Sequence, residues 1–140
     1  MKTANYCIHI RSTSDKVWDA LTKPELTRQW FTGKSFESDW KVGSAITMVA
    51  PQGETINRLP AVVTSYDKPN ALGYLFDGGM FGSFNYELSQ VTPSEVRLTV
   101  HHNDYDDAVD EIMTERWYGH LSSLKSLIET GKALDHSRWD

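Results

Sequence analysis

The chain has 140 residues, a single cysteine, a formal net charge of −5 at pH 7 and 11% aromatic residues, five of them Trp. That length is enough to bury one hydrophobic core without disulfides or a structural metal, and no apolar run approaches the ~18 residues of a membrane span. Scattered Lys and Arg exclude the basic stripe that nucleic-acid binding needs, and Cys7 without a secretion leader fits a reducing cytoplasm.

Tyr6, Ile8 and Ile10 alternate with Cys7, His9 and Arg11, the two-residue period of a half-buried strand. The polar run Ser12-Thr13-Ser14-Asp15 then offers caps for a short helix with Val17, Trp18 and Leu21 on one side. Pro24 suits the first position of a second short helix, where its missing N–H costs nothing; Leu26, Trp30 and Phe31 form its apolar side and Gly33 ends it.

From residue 34 to 103 the period is two. Strands are expected over Ser35–Trp40, Ala45–Ala50, Leu59–Tyr66, Ala71–Phe76, Ser83–Val91 and Glu95–His102, separated by runs rich in Gly, Pro, Asn and Asp. Short turns between them make an antiparallel meander, with Phe84, Tyr86, Leu88 and Val96, Leu98, Val100 on one apolar face.

The stretch Asp107 to Lys132 carries Val109, Ile112, Met113, Trp117, Leu121, Leu124, Leu127 and Ile128 at helical spacing. Acidic residues crowd its first turns and Gly131 stands where a left-handed cap belongs, so both ends of a rod of roughly 36 Å are marked. A sheet of about seven strands with one apolar face and one long amphipathic helix bury each other most economically when the sheet curls around the helix. The expected class is α+β, a helix-grip: residues 1–132 form one domain and 133–140, with Trp139, a tail.

Several motifs read more simply as structure than as chemistry. His101-His102 followed by Asp104, Asp106, Asp107, Asp110 and Glu111 has metal-ligand residue types, but adjacent strand residues face opposite ways and no calcium-loop spacing is present; the acids read as helix caps. Asp77-Gly78-Gly79-Met80-Phe81-Gly82 joins two strands instead of opening a helix, so it reads as a hairpin tip and not a phosphate loop, with Met80 and Phe81 available to gate a cavity mouth. Cys7 has no local His and carboxylate partners, and no nucleophile-elbow spacing occurs. Nothing in these motifs demands catalysis, and no cofactor or metal is implied.

Two blocks carry a family resemblance. Ile8-His9-Ile10-Arg11, with Asp15 to Glu25 and Trp30-Phe31, and the closing run Trp117 to Lys132, together resemble the homologues of the heat-shock ATPase activator, within the START-like, birch-pollen-allergen-like superfamily. The resemblance runs from about Tyr6 to Lys132; where the family usually has glycines, this chain has Arg116 and Pro60.

The resemblance implies a hydrophobic cavity between the long helix and the concave sheet, taking a lipid, polyketide or similar small apolar molecule. Its expected wall is Trp30, Met48, Tyr74, Phe76, Phe84, Tyr86, Met113, Trp117, His120 and Leu121, large or adaptable side chains suited to apolar contact. Arg116 and Tyr118 are expected at the surface. The resemblance also admits a module that binds a chaperone or other protein, in a stress response, and less readily a cyclase or hydrolase using Arg116, His120 or Tyr86. Monomer and homodimer are equally compatible with the sheet edges and acidic surface.

Overall fold

The computed structural model describes residues 1–76 and 80–134, except the side chains of 57–59. The expected turn at Asp77-Gly78-Gly79 and the tail with Trp139 lie outside the described residues.

In chain order the elements are β1 (Lys2–Ile10), α1 (Ser14–Thr22), α2 (Pro24–Trp30), β2 (Ser35–Ser38), β3 (Ala45–Val49), β4 (Thr55–Asp67), β5 (Ala71–Phe76), β6 (Ser83–Thr92), β7 (Glu95–Tyr105) and α3 (Asp110–Thr130), with a 3-10 turn over Asp107–Val109. Seven antiparallel strands form one sheet in the order β1-β7-β6-β5-β4-β3-β2. The meander therefore runs from β2 to β7, and β1 closes on β7 to leave β1 and β2 as the edges.

Local chemistry explains the boundaries. The Thr13 side chain accepts from Lys16 N to cap α1, and Pro24 opens α2. β2 stops at Ser38, short of the expected Trp40, because Trp40 takes a left-handed φ of 55° that no strand continues. β4 starts at Thr55, earlier than the expected Leu59: its register against β3 shifts between Ile46 and Met48, and Pro60 falls in this irregular stretch, where a missing N–H breaks no regular ladder. β7 extends past His102 to Tyr105.

The apolar alternation faces one way across the whole sheet. Phe36 pairs with Met48, Val63 with Tyr74, Tyr74 with Phe84, and Tyr86 with Val100, so inward side chains stand opposite one another on neighbouring strands from β2 to β7. Against this concave face lies α3, burying Trp117, His120, Leu121, Leu124 and Leu127. Its first turns differ from expectation: residues 107–109 wind as a 3-10 turn capped by Asp106, whose carboxylate accepts from Ala108 N, and Ile112 is exposed. Gly131 adopts φ 83° and closes the helix, its N–H reaching Leu127 O.

Polar ties fix the C-terminal half of α3 to the start of the chain. Glu129 accepts from Arg11 N at 2.7 Å and pairs with Lys125, whose ammonium also reaches His9 O. These bonds hold the Glu129 carboxyl below its ordinary range, the Arg11 backbone N–H being the main cause. The α1–α2 pair is pinned by the Trp30 indole, which donates to Ala20 O at 2.7 Å, and by Trp18, packed edge-on to Tyr66 at 5.3 Å. No helix among the described residues is long and apolar enough to cross a membrane.

Candidate functional site

Between α3, the concave sheet and the segment following α2 lies a cavity of about 90 Å³. Its buried walls are Phe36, Met48, Tyr74, Phe76 and Phe84 from the sheet, with Trp117 and His120 from α3. Phe31, Lys34, Phe81, Met113 and Arg116 also line it, are only half-buried, and so form its rim.

The aromatic residues form a continuous mutual packing. Trp117 stands 5.3 Å from Phe84 and 5.6 Å, edge-on, from His120; Phe31 lies 4.3 Å from the His120 ring and 5.0 Å from Phe36. Such tilted and edge-on contacts at these separations are favourable beyond their buried area. Lys34 Nζ sits 5.9 Å from the centre of Phe31, at the outer range of a cation–π contact.

The Tyr74 and Tyr86 hydroxyls are hydrogen-bonded at 2.7 Å, and burial pushes both phenols upward, so neither is a base near neutral pH. His102, opposite Phe84 on β7, is fully buried and stacked between Phe84 at 4.1 Å and Tyr105 at 4.0 Å. Its Nε2–H donates to Phe81 O at 2.6 Å, which ties the β5–β6 hairpin to the sheet, and burial lowers its pKa. Tyr105 in turn donates to Asp110, and that bond depresses the Asp110 carboxyl.

The expected wall is thus partly assembled. Met48, Tyr74, Phe76, Phe84, Met113, Trp117 and His120 meet around the cavity. Trp30, Tyr86 and Leu121 do not line it: Trp30 is spent on Ala20, Tyr86 is bonded to Tyr74, and Leu121 faces the β1 side beside Tyr6 and Ile8. Tyr118 is exposed as expected, whereas Arg116 is half-buried at the rim because it lies one turn from both Met113 and His120, on the face of α3 that meets the cavity. Phe31, Lys34 and Phe36 were missing from the expected wall; the alternation of β2 marked Phe36 as one of two possible faces, and nothing local marked Lys34.

His101 and His102 point to opposite faces of β7. His101 bonds Asn5 and approaches Glu87 on the convex side, and among the described residues no group of three His, Cys, Asp or Glu is placed to hold a metal.

A curved antiparallel sheet gripping a long C-terminal helix defines the helix-grip class. The model of one family, "Activator of Hsp90 ATPase homolog 1-like protein", matches residues 11–129, and the chain belongs to that family. Among solved structures it is similar to the Aha1 dimer from Colwellia psychrerythraea, with 23% identity and a TM-score of 0.76 over 95% of this chain and 100% of that one. An HSP90 activator from Plasmodium falciparum shares 15% identity, with a TM-score of 0.74 over 90% and 95% of the two chains. A Staphylococcus saprophyticus protein shares 16% identity with a TM-score of 0.74 over 95% and 96%. No curated protein sequence matches this chain significantly.

Proposed function

We propose that this chain binds a small hydrophobic molecule in the cavity between α3 and the concave sheet. The observation that supports this reading is an aromatic-lined cavity between α3 and the concave sheet. In the conformation described, about 90 Å³ is well below the ~300 Å³ of ordinary ligand pockets and too small for a lipid chain or polyketide. Larger ligands therefore require Phe31, Phe81 and Met113, all half-buried at the rim, to swing outward.

Native mass spectrometry of protein purified without detergent tests the reading. A stoichiometric apolar adduct, released by denaturing extraction, is expected. A clean apo mass together with no uptake of small aromatic probes rejects it.

A second reading, a chaperone-associated interaction module, is favoured by the family's description and by the Plasmodium neighbour named as an HSP90 activator. Co-purification with Hsp90 and stimulation of its ATPase would support it, and cavity-wall variants should leave both unaffected.

A further inference from the structure

Thr32 is held in a backbone conformation that its side chain disfavours. Its φ of 51° is left-handed, as are those of Trp40 and Asp104 among the described non-glycine residues, but only Thr32 of these is β-branched. A β-branched residue there is a genuine outlier, and such strain gathers where a segment has to move. The cause lies in how α2 ends. Phe31 is the C-cap and the Gly33 N–H reaches back to Arg28 O at 3.0 Å, so Thr32 fills the left-handed position that terminates a helix and is usually glycine. Gly33 follows one residue late, also left-handed at φ 82°.

This strained turn forms one side of the cavity mouth. Phe31 and Lys34 line the cavity, and residues 31–34 are all half-buried. On the inside the Phe31 ring lies 4.3 Å from His120 and 5.0 Å from Phe36. On the outside Gly33 rests against Pro51, an exposed turn residue, so closely that an added Cβ would lie 2.9 Å from Pro51 Cγ. The other two apolar rim residues are better anchored. Met113 stands within α3, while Phe81 O accepts from the buried His102 and Met80 O from Asp106 N. Their side chains can turn, but the backbone placed to swing outward is that of residues 31–34.

Accepting the cavity reading above, we propose that segment 31–34 is the gate of the cavity, held shut by the packing of Phe31 and driven towards opening by the left-handed backbone of Thr32. Opening lifts Phe31 off His120 and returns Thr32 to an ordinary φ, so relief of strain offsets part of the lost packing. The opposition keeps an open minor state within thermal reach. A ligand too large for the closed void binds that state and draws the population towards it.

Two probes separate the gate from the void. Xenon is small enough for the closed cavity, whereas phenylnaphthylamine, with three aromatic rings, binds only once the mouth has opened. Amide and indole NMR shifts follow xenon, and fluorescence follows phenylnaphthylamine, in wild type, Thr32→Asn and Thr32→Val. Asn tolerates the left-handed region, so Thr32→Asn relieves the closed state; it should weaken phenylnaphthylamine binding about three- to tenfold and leave xenon binding within about twofold. Val keeps the β-branch and loses only the hydroxyl, which donates to Phe31 O at 2.8 Å, so Thr32→Val should bind both probes as wild type does. Thermal melts should show both variants folded, with Thr32→Asn the more stable. Unchanged phenylnaphthylamine affinity in Thr32→Asn, an equal loss in Thr32→Val, a parallel loss of xenon, or a wild type that takes xenon but not phenylnaphthylamine overturns the gate and leaves the cavity reading standing. So does Thr32→Asn melting at or below Thr32→Val. Failure of both probes to bind wild type overturns both.

Discussion

His102 shows how a single buried side chain can set a pH response. Its ring is fully buried between Phe84 and Tyr105 and bonded to Phe81 O, and burial lowers its pKa from an ordinary value of 6.5, against the raising effects of that bond and of Asp110. The unfolded chain then binds the proton more readily than the fold does, so stability should fall as pH drops below 6.5 toward the lowered value. The slope contributed by one such group approaches at most about 1.4 kcal/mol per pH unit. Urea unfolding at a series of pH values should show a shallower dependence below 6.5 for His102→Phe; an unchanged slope would mean that the ring titrates normally. At neutral pH the same variant should lose about 1 kcal/mol, because Phe81 O loses its donor. Trp117 is the counterpart on the helix, 2% exposed and in contact with Phe84 and His120. Trp117→Ala should cost about 3 to 5 kcal/mol in chemical denaturation, since the surrounding rings can only partly collapse into the space.

Elements depend on their ends. Gly131 and Gly82 both have positive φ, but an added Cβ at Gly131 meets nothing within 4 Å, whereas at Gly82 it would lie 2.0 Å from Asn103 O. Gly131→Ala should therefore cost only the left-handed conformation, about 1 to 2 kcal/mol. Gly82→Ala must also displace backbone and should be the more damaging; comparing the two melting temperatures checks the order. The difference could not be read locally, because the obstruction at Gly82 comes from Asn103 and Asp104, some twenty residues on in the chain. Helix α3 makes the same point about legibility. Gly131 and the spacing of Trp117, Leu121, Leu124 and Leu127 disclosed its end and its buried face, while Ile112 obeyed the spacing and is exposed. Periodicity identifies a face, but not how far the partner sheet extends beneath it. The strands behave alike: the alternation in β6 and β7 placed Phe84, Tyr86, Val96, Leu98 and Val100 inward, and only the irregular stretch around Pro60 obscured the start of β4.

For the molecule as a whole, the cavity offers a direct trial of function apart from stability. Met113→Phe enlarges a half-buried rim residue, so it should fill part of the void without the strain of overpacking a rigid core. Its melting temperature should stay within a few degrees of wild type while any apolar adduct in native mass spectrometry disappears; retained adduct would place the ligand elsewhere. By itself the sequence determined the order of elements, the antiparallel meander, the inward face of the sheet and the buried face of α3, because each follows from periods of two and 3.6 and from caps within a few residues. It also assembled most of the aromatic wall, since those residues lie on the predictable faces. Only the tertiary structure decided that Trp30, Tyr86 and Leu121 spend their side chains elsewhere, that Phe31, Lys34 and Arg116 reach the opening, and that the void is small. Those outcomes depend on the sheet's curvature and on how α2 and α3 seat against it, set by contacts between residues far apart in the chain, which local periodicity cannot encode.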